Sequence, residues 1–153
     1  MNIDIASLLK NGRFPLCGLI ADENTTEEEL VTIGGKIHET KQSKFIYFKG
    51  ENCSFLGHPF HEIEFIFRNG KLDVITIDWP QEMVAERDGD PYENHEKAKY
   101  EFCKKLLSGY LDLSVNEKNT EFYYTNEKYR LECKRCLYGK AMFMDGKIRI
   151  TLK

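Results

Sequence analysis

The fold is decided by residues 61–79, which read HEIEFIFRNGKLDVITIDW. At the centre of this stretch, the Asn69-Gly70 pair supplies the two positive-φ positions that a type I′ turn requires. The residues on both sides of the turn are rich in β-branched and aromatic types, which favour strands. The stretch therefore predicts a β-hairpin that runs from His61 to Trp79.

Alternation along the two strands assigns the faces of this hairpin. If Arg68 pairs with Lys71, the predicted core face carries Ile63, Phe65, Phe67, Leu72, Val74 and Thr76. The opposite face then carries Glu62, Glu64, Ile66, Arg68, Asp73, Ile75, Ile77 and Trp79. Because this second set is more apolar than a solvated sheet surface needs to be, we expect another element or a partner to cover it.

Capping signals on either side of the hairpin predict three helices. Their predicted bounds are Asp4 to Gly12, Thr25 or Thr26 to Gly34, and Pro91 to Ser108. For the second helix the sequence leaves two capping boxes open, Thr25 with Glu28 and Thr26 with Glu29. Residues 13–20, between the first two helices, are interpreted as a connector or a short strand.

Two more hairpins are predicted after the third helix, with turns near Asn126-Glu127 and at Asp145-Gly146. The side chains expected to share a face are Phe122, Tyr124, Tyr129 and Leu131 in the first, and Ala141, Phe143, Ile148, Ile150 and Leu152 in the second. Each half of the chain is thus a helix followed by antiparallel strands, without a residue-level repeat. The sequence predicts one α+β domain over residues 1–153, a curved antiparallel sheet of six to eight strands with its helices on one face.

Composition excludes several classes of protein. The chain has 153 residues, of which 41% are apolar before its 11 glycines are counted, so intrinsic disorder is excluded. No apolar run approaches the roughly 20 residues that span a bilayer, and the first residues lack the features of a signal peptide. The five cysteines are an odd number and do not form a disulfide framework. We therefore expect a cytoplasmic protein with reduced thiols and no contact with membranes.

No motif in the sequence supports catalysis or a cofactor. Cys133 and Cys136 have CxxC spacing, and Cys53, His58 and His61 could complete a zinc site, but the spacing is irregular and the motif lies on a predicted strand. Carboxylates near these histidines are interpreted as solvated sheet charges. No phosphate-binding loop, nucleophile elbow or metalloprotease motif occurs. We expect no enzymatic activity, no cofactor and no metal.

The C-terminal segment is locally basic, with 8 Lys or Arg and 4 Asp or Glu in residues 120–153. Its predicted outward residues are Lys128, Arg130, Lys134, Lys140, Lys147 and Arg149, with Tyr123, Met142 and Met144 between them. Basic and aromatic groups on an open sheet bind single-stranded nucleic acid. Glu121 and Glu132 interrupt this pattern, so a solvated face is favoured. A sheet that binds single-stranded nucleic acid or a small ligand remains the alternative function.

An acidic loop follows Trp79 directly. An aromatic residue with a charged rim is typical of protein interfaces, although a solvated loop and a helix cap would show the same residues. The predicted partner-binding residues are Ile66, Ile75, Ile77, Trp79, Glu82, Glu86, Asp88 and Asp90.

The segment from Phe55 to Trp79, preceded by the short acidic helix that ends in Ile33-Gly34-Gly35, resembles small bacterial α+β proteins built from helix-plus-meander units. Inhibitors of the β-lactamase-inhibitor type and several toxin-immunity proteins share this pattern. This chain departs from the secreted inhibitors because it lacks a signal peptide and a disulfide framework. The resemblance implies a non-enzymatic immunity or inhibitor protein whose partner is a protein, such as a basic toxin domain. The oligomeric state is left open.

Overall fold

The computed structural model describes residues 4–78, 92–118, 120–134 and 147–153. The α+β class predicted from the sequence is confirmed. The helices are α1 (Ile5–Lys10), α2 (Glu27–Thr32) and α3 (Tyr92–Ser108), and a 3-10 turn spans Gly50–Asn52. The strands are β1 (Phe14–Leu16), β2 (Leu19–Ala21), β3 (Lys36–Glu39), β4 (Lys44–Lys49), β5 (Ser54–Phe55), β6 (His58–Pro59), β7 (Glu62–Arg68), β8 (Lys71–Ile77), β9 (Ser114–Asn116), β10 (Glu121–Thr125), β11 (Tyr129–Lys134) and β12 (Ile148–Leu152).

The main sheet has eight strands in the order β3-β4-β7-β8-β12-β11-β10-β9, and all of its pairings are antiparallel. It consists of two units with the same topology. The first unit is α2 followed by β3, β4, β7 and β8, and the second is α3 followed by β9, β10, β11 and β12. The last strands of the two units, β8 and β12, pair with each other and join the units. The first strands, β3 and β9, form the two edges of the sheet.

A second, four-stranded sheet with the order β2-β1-β5-β6 was not expected from the sequence. Its two hairpins turn at Cys17-Gly18 and Leu56-Gly57, where both residues of each pair have a positive φ. The central hairpin has the same backbone at Asn69-Gly70. The turns at Cys17-Gly18 and Leu56-Gly57 were not predicted, because Cys and Leu rarely adopt positive φ, whereas Asn does so several times more often.

One hydrophobic core lies between the two sheets and the helices, which agrees with a single domain. The core side of the main sheet is formed by Ile46, Phe48, Ile63, Phe65, Phe67, Leu72, Ile75, Ile77, Phe122, Tyr129, Leu131, Cys133, Ile148 and Ile150. The helices contribute Leu9, Leu30, Tyr100, Cys103 and Leu107 to the same cluster. The helices therefore pack on one face of the main sheet, as predicted.

The predicted helix caps are present at both short helices. Asp4 accepts a hydrogen bond from the Ser7 backbone N–H at 3.3 Å. Of the two capping boxes left open by the sequence, α2 uses Thr26 with Glu29, whose backbone N–H donates to the Thr26 hydroxyl at 3.2 Å. The Asp145-Gly146 turn, Ala141 and Phe143 lie outside the described residues. In the part of the chain that the structure describes, no helix is both long enough and apolar enough to span a membrane.

Candidate protein-binding face

The side of the main sheet opposite the core, called the outer face below, carries three apolar side chains in a continuous line. Phe45 on β4 pairs with Ile66 on β7, and Ile66 pairs with Val74 on β8. Phe45 and Ile66 are half-buried, and Val74 is only 1% exposed although it is not part of the core cluster. We call these three residues the apolar strip. It crosses the middle strands of the first unit.

A β-bulge determines which residues of β8 reach this face. Phe67 pairs with Leu72, but the next residue, Ile66, pairs with Val74, so that Asp73 is left as the extra residue in the bulge. Beyond a bulge, the alternation of a strand is shifted by one residue. Ile75 and Ile77 therefore point into the core, opposite Phe65 and Ile63, and both are fully buried.

The prediction that Ile75 and Ile77 project from the outer face is therefore wrong, and so is the assignment of Val74 and Thr76 to the core face, although Val74 is buried as expected. The physical reason is the bulge, which strict alternation from the turn did not include. Ile66 lies on the outer face, as predicted. Phe45 and Tyr47 also lie on the outer face but were not predicted there, because the sequence argument assigned no faces to β4. The alternation in the segment KFIYFK places them on the other side of the strand from the buried Ile46 and Phe48.

Beside the apolar strip, a row of polar side chains crosses six strands of the outer face. The pairings that place these residues in one row run through Tyr47, Glu64, Thr76, Arg149, Glu132 and Tyr123. All six side chains are half-buried. The Thr76 hydroxyl donates a hydrogen bond to the Glu64 carboxylate at 3.4 Å. The row places ordered polar groups next to an apolar surface, which is the composition of a protein interface.

The first-unit end of the outer face is acidic. Glu62, Glu64 and Asp78 lie there, and Lys49 and Lys147 contact Glu62 at 3.7 Å and Asp78 at 3.8 Å. Burial raises the pKa of the Glu64 carboxyl, and the neighbouring Glu62 and Asp78 raise it further, against the opposing effects of Lys147 and the Thr76 hydrogen bond. Counted over the described residues, this cluster, which we call the acidic end, carries three carboxylates and two ammonium groups.

The second-unit end of the outer face is basic in sequence, and carboxylates contact two of its cations. Arg130 contacts Glu132 at 3.3 Å, and Lys134 contacts Glu121 at 3.7 Å. The Arg130 guanidinium also lies 4.5 Å from the centre of the Tyr123 ring. Because carboxylates contact these cations, this end offers less free positive charge to a phosphate backbone than the sequence suggests.

The remaining predicted partner-binding residues, Trp79, Glu82, Glu86, Asp88 and Asp90, lie outside the described residues. In sequence, the acidic residues Glu82, Glu86, Asp88 and Asp90 nevertheless follow shortly after Asp78 of the acidic end. The structure thus places one predicted apolar residue, Ile66, on the expected face and moves two others into the core.

The described residues that were considered for a zinc site do not form one cluster of ligands. Cys53 is buried, His58 is exposed on β6, Cys133 is buried on β11, and Cys136 lies outside the described residues. Within residues 4–78, 92–118, 120–134 and 147–153, no three His, Cys, Asp or Glu side chains are placed to hold a metal ion. Burial raises the pKa of the Cys17 and Cys53 thiols to about 12. Because a thiol must ionise to act as a nucleophile, neither is suited to nucleophilic chemistry at neutral pH.

One buried lysine was also not predicted from the sequence. Lys99 on α3 is fully buried. It lies between the exposed Ala98 and the buried Tyr100, and a lysine at such a position is normally expected at the surface.

Comparison of the chain with protein-family models, with curated proteins and with solved structures finds no match.

Proposed function

We propose that this chain is a non-enzymatic protein-binding module, and specifically a bacterial immunity or inhibitor protein whose partner docks on the outer face. The observation that carries the proposal is the apolar strip of Phe45, Ile66 and Val74. Among the described residues, the buried apolar side chains of the helices belong to the core on the other side of the sheet, and Phe45 and Ile66 of the strip remain partly exposed.

The strip and the adjoining Tyr47 have the aromatic and aliphatic composition of an interface centre. Phe45 and Tyr47 are aromatic residues held in position by strand pairing, and aromatic side chains at the centre of an interface supply much of its binding energy. Each Å² of apolar surface removed from water contributes about 25 cal/mol. A partner that covers these half-buried rings therefore gains affinity without ordering a flexible loop.

The charge beside the strip favours a cationic partner. The acidic end adjoins the strip on β7 and β8, and the sequence continues into Glu82, Glu86, Asp88 and Asp90. A concentration of negative charge increases the association rate of a basic protein more than it tightens the complex. A nuclease-type toxin domain, which is basic because it binds nucleic acid, meets this requirement. The proposal places the protein in the cytoplasm, in keeping with the free thiols of Cys17, Cys53 and Cys103.

The test is a binding measurement with the product of the neighbouring open reading frame, since immunity genes lie beside their toxins. Phe45→Ala combined with Ile66→Ala should weaken binding in calorimetry by about 30-fold or more, because two central contacts are lost. The matched control is Ile20→Ala, which truncates an exposed apolar side chain on β2 of the small sheet. Unchanged affinity of a folded double variant, or equal weakening by the control, would contradict the outer face as the docking surface.

A further inference from the structure

Edge strand β3 is an exposed edge of the main sheet. All four of its residues are exposed, and Ile37 is 53% exposed. Val31 and Ile33, at the end of α2 just before this strand, are 42% and 39% exposed. Among the described residues, these three make up most of the exposed large apolar side chains, and the other two are Ile20 and Val115. Apolar exposure is thus concentrated next to one edge of the sheet.

The register of β3 shows which backbone groups face outward. The Thr40 N–H donates to the Ser43 carbonyl at 2.9 Å, so these two residues form a hydrogen-bonded pair at the end of the β3–β4 ladder. In an antiparallel ladder, hydrogen-bonded and non-hydrogen-bonded pairs alternate. Lys36 and His38 therefore bond to β4, whereas the N–H and C=O groups of Ile37 and Glu39 point to the open edge.

We propose that β3 pairs antiparallel with β3 of a second copy of this chain, about a two-fold axis centred on Ile37. A symmetric antiparallel pair must place one residue opposite itself. With Ile37 at the centre, its outward N–H and C=O exchange hydrogen bonds with those of Ile37 in the second copy, and the two apolar side chains meet. Lys36 then lies opposite His38 of the second copy, so no two carboxylates are opposed.

The other symmetric registers are less favourable. An axis at Glu39 would place two carboxylates directly opposite each other, which destabilises a strand pair. An axis at His38 would place the apolar Ile37 opposite Glu39. Self-complementarity at Ile37 is what identifies a second copy, rather than an unrelated extended peptide, as the occupant of this edge. The resulting dimer extends one sheet to sixteen strands and leaves the outer face of both copies open.

The experiment is sedimentation equilibrium of the full chain across a concentration series, because a short strand pair buries little area and associates weakly. We expect the mass to rise from one chain to two between about 10 µM and 1 mM, the range of weak association. Ile37→Lys should abolish the increase, since it places two ammonium groups at the axis. Val115→Lys is the matched control, because Val115 is the middle residue of the other edge strand, is 43% exposed and pairs with Phe122 as Ile37 pairs with Ile46.

Amide hydrogen exchange of the unmodified protein provides a second measurement that needs no variant. The Ile37 and Glu39 amides should be protected only at concentrations where the dimer forms, and the His38 amide should be protected at every concentration. A single-chain mass throughout the series would overturn the proposal. So would a dimer that survives Ile37→Lys, a dimer lost in Val115→Lys alone, or Ile37 and Glu39 amides whose exchange does not depend on concentration.

Discussion

The two units of the main sheet share one topology but differ in how faithfully their strands alternate. In the second unit, Phe122, Tyr124, Tyr129 and Leu131 all face the core side of the sheet, as simple alternation predicts. In the first unit, alternation holds along β7 but shifts at Asp73 on β8. Strict alternation of side chains along a strand therefore predicts the faces correctly in the second unit and incorrectly on β8 of the first unit.

The difference shows that one extra residue in a strand can exchange the faces of all the side chains that follow it. The sequence of β8 does not indicate where this residue lies. The segment LDVITI offers apolar residues on both sides of the strand, so either phase of alternation yields a buried face. The bulge settles the phase because it places Ile75 opposite Ile150 of the second unit, and both are fully buried. Contact between the units, which is remote in sequence, thus overrides the local pattern.

The largest effect is expected from deletions in β8. Deleting Asp73 removes the extra residue of the bulge, keeps the pairs Phe67–Leu72 and Ile66–Val74, and loses the 3.1 Å ion pair with Arg68. Such an exposed ion pair contributes no more than about 1 kcal/mol. Deleting Thr76 instead moves Ile77 outward and Asp78 to a core position, which should cost about 4 kcal/mol or more.

Urea unfolding of the two deletion variants makes this comparison. If deletion of Asp73 proved as damaging as deletion of Thr76, β8 would have to run without a bulge. The faces assigned to Ile75 and Ile77 would then have to be exchanged with those of Val74 and Thr76.

Smaller losses in the free energy of unfolding are expected when isoleucines on the two faces of the β7–β8 hairpin are truncated to alanine. Ile75→Ala should lower the free energy of unfolding by about 3 kcal/mol, because it leaves a cavity in the core. Ile150→Ala, the matched variant in the second unit, should cost about the same because the two side chains are opposite each other and equally buried. Ile66→Ala on the outer face should cost only about 1 kcal/mol, since that side chain is half-buried. A larger loss at Ile66 than at Ile75 in chemical denaturation would contradict the observed faces.

The fold could be predicted from the sequence wherever a single local signal was decisive. The Asn69-Gly70 turn, the Asp4 cap and the second-unit hairpin all follow from the properties of a few adjacent residues. The small sheet could not be predicted, because Cys17 and Leu56 adopt positive φ only within their tertiary surroundings.

The candidate site was predicted in part. Ile66 was placed correctly, but its neighbours on the face depend on how β4 and β8 pair with β7, and pairing is not encoded within one strand. Phe45 and Tyr47 could have been found if the outer face had been extended to β4. Val74 could not have been found without knowledge of the bulge.

The two hairpin turns also differ in what stabilises them. At Asn69 the turn depends on backbone conformation, since φ is +54°, and Asn69→Ala should cost about 1 kcal/mol. At Asn126 the turn depends on the side chain, which accepts from the Lys128 and Tyr129 N–H groups at 2.8 and 3.1 Å and donates to the Lys10 carbonyl at 2.9 Å.

Asn126→Ala should therefore cost more, about 2 kcal/mol, in thermal unfolding. Asn126→Asp keeps the accepting oxygen but loses the bond to Lys10. Its stability should therefore lie between those of Asn126→Ala and the unmodified protein. Equal stability of Asn126→Ala and the unmodified protein would mean that these hydrogen bonds do not hold the turn.

The smallest effect concerns the outer face itself, where Glu64 and Glu132 occupy the same row in different units. The pKa of the Glu64 carboxyl is raised, chiefly by burial, so the folded protein binds more protons than the unfolded chain at pH values just above the ordinary pKa of glutamate. The free energy of unfolding should therefore fall as the pH rises through that interval, and the loss should persist at neutral pH.

Glu64→Gln removes the ionisable group, so its melting temperature at pH 7 should be higher than that of the unmodified protein by about 1–3 °C. Glu132→Gln, which breaks the contact with Arg130, should bring no increase because that carboxylate has a cationic partner. A lower melting temperature of Glu64→Gln at pH 7 would contradict this expectation. It would mean that the interactions of the Glu64 carboxylate with Lys147 and Thr76 stabilise the folded protein by more than burial of that carboxylate destabilises it.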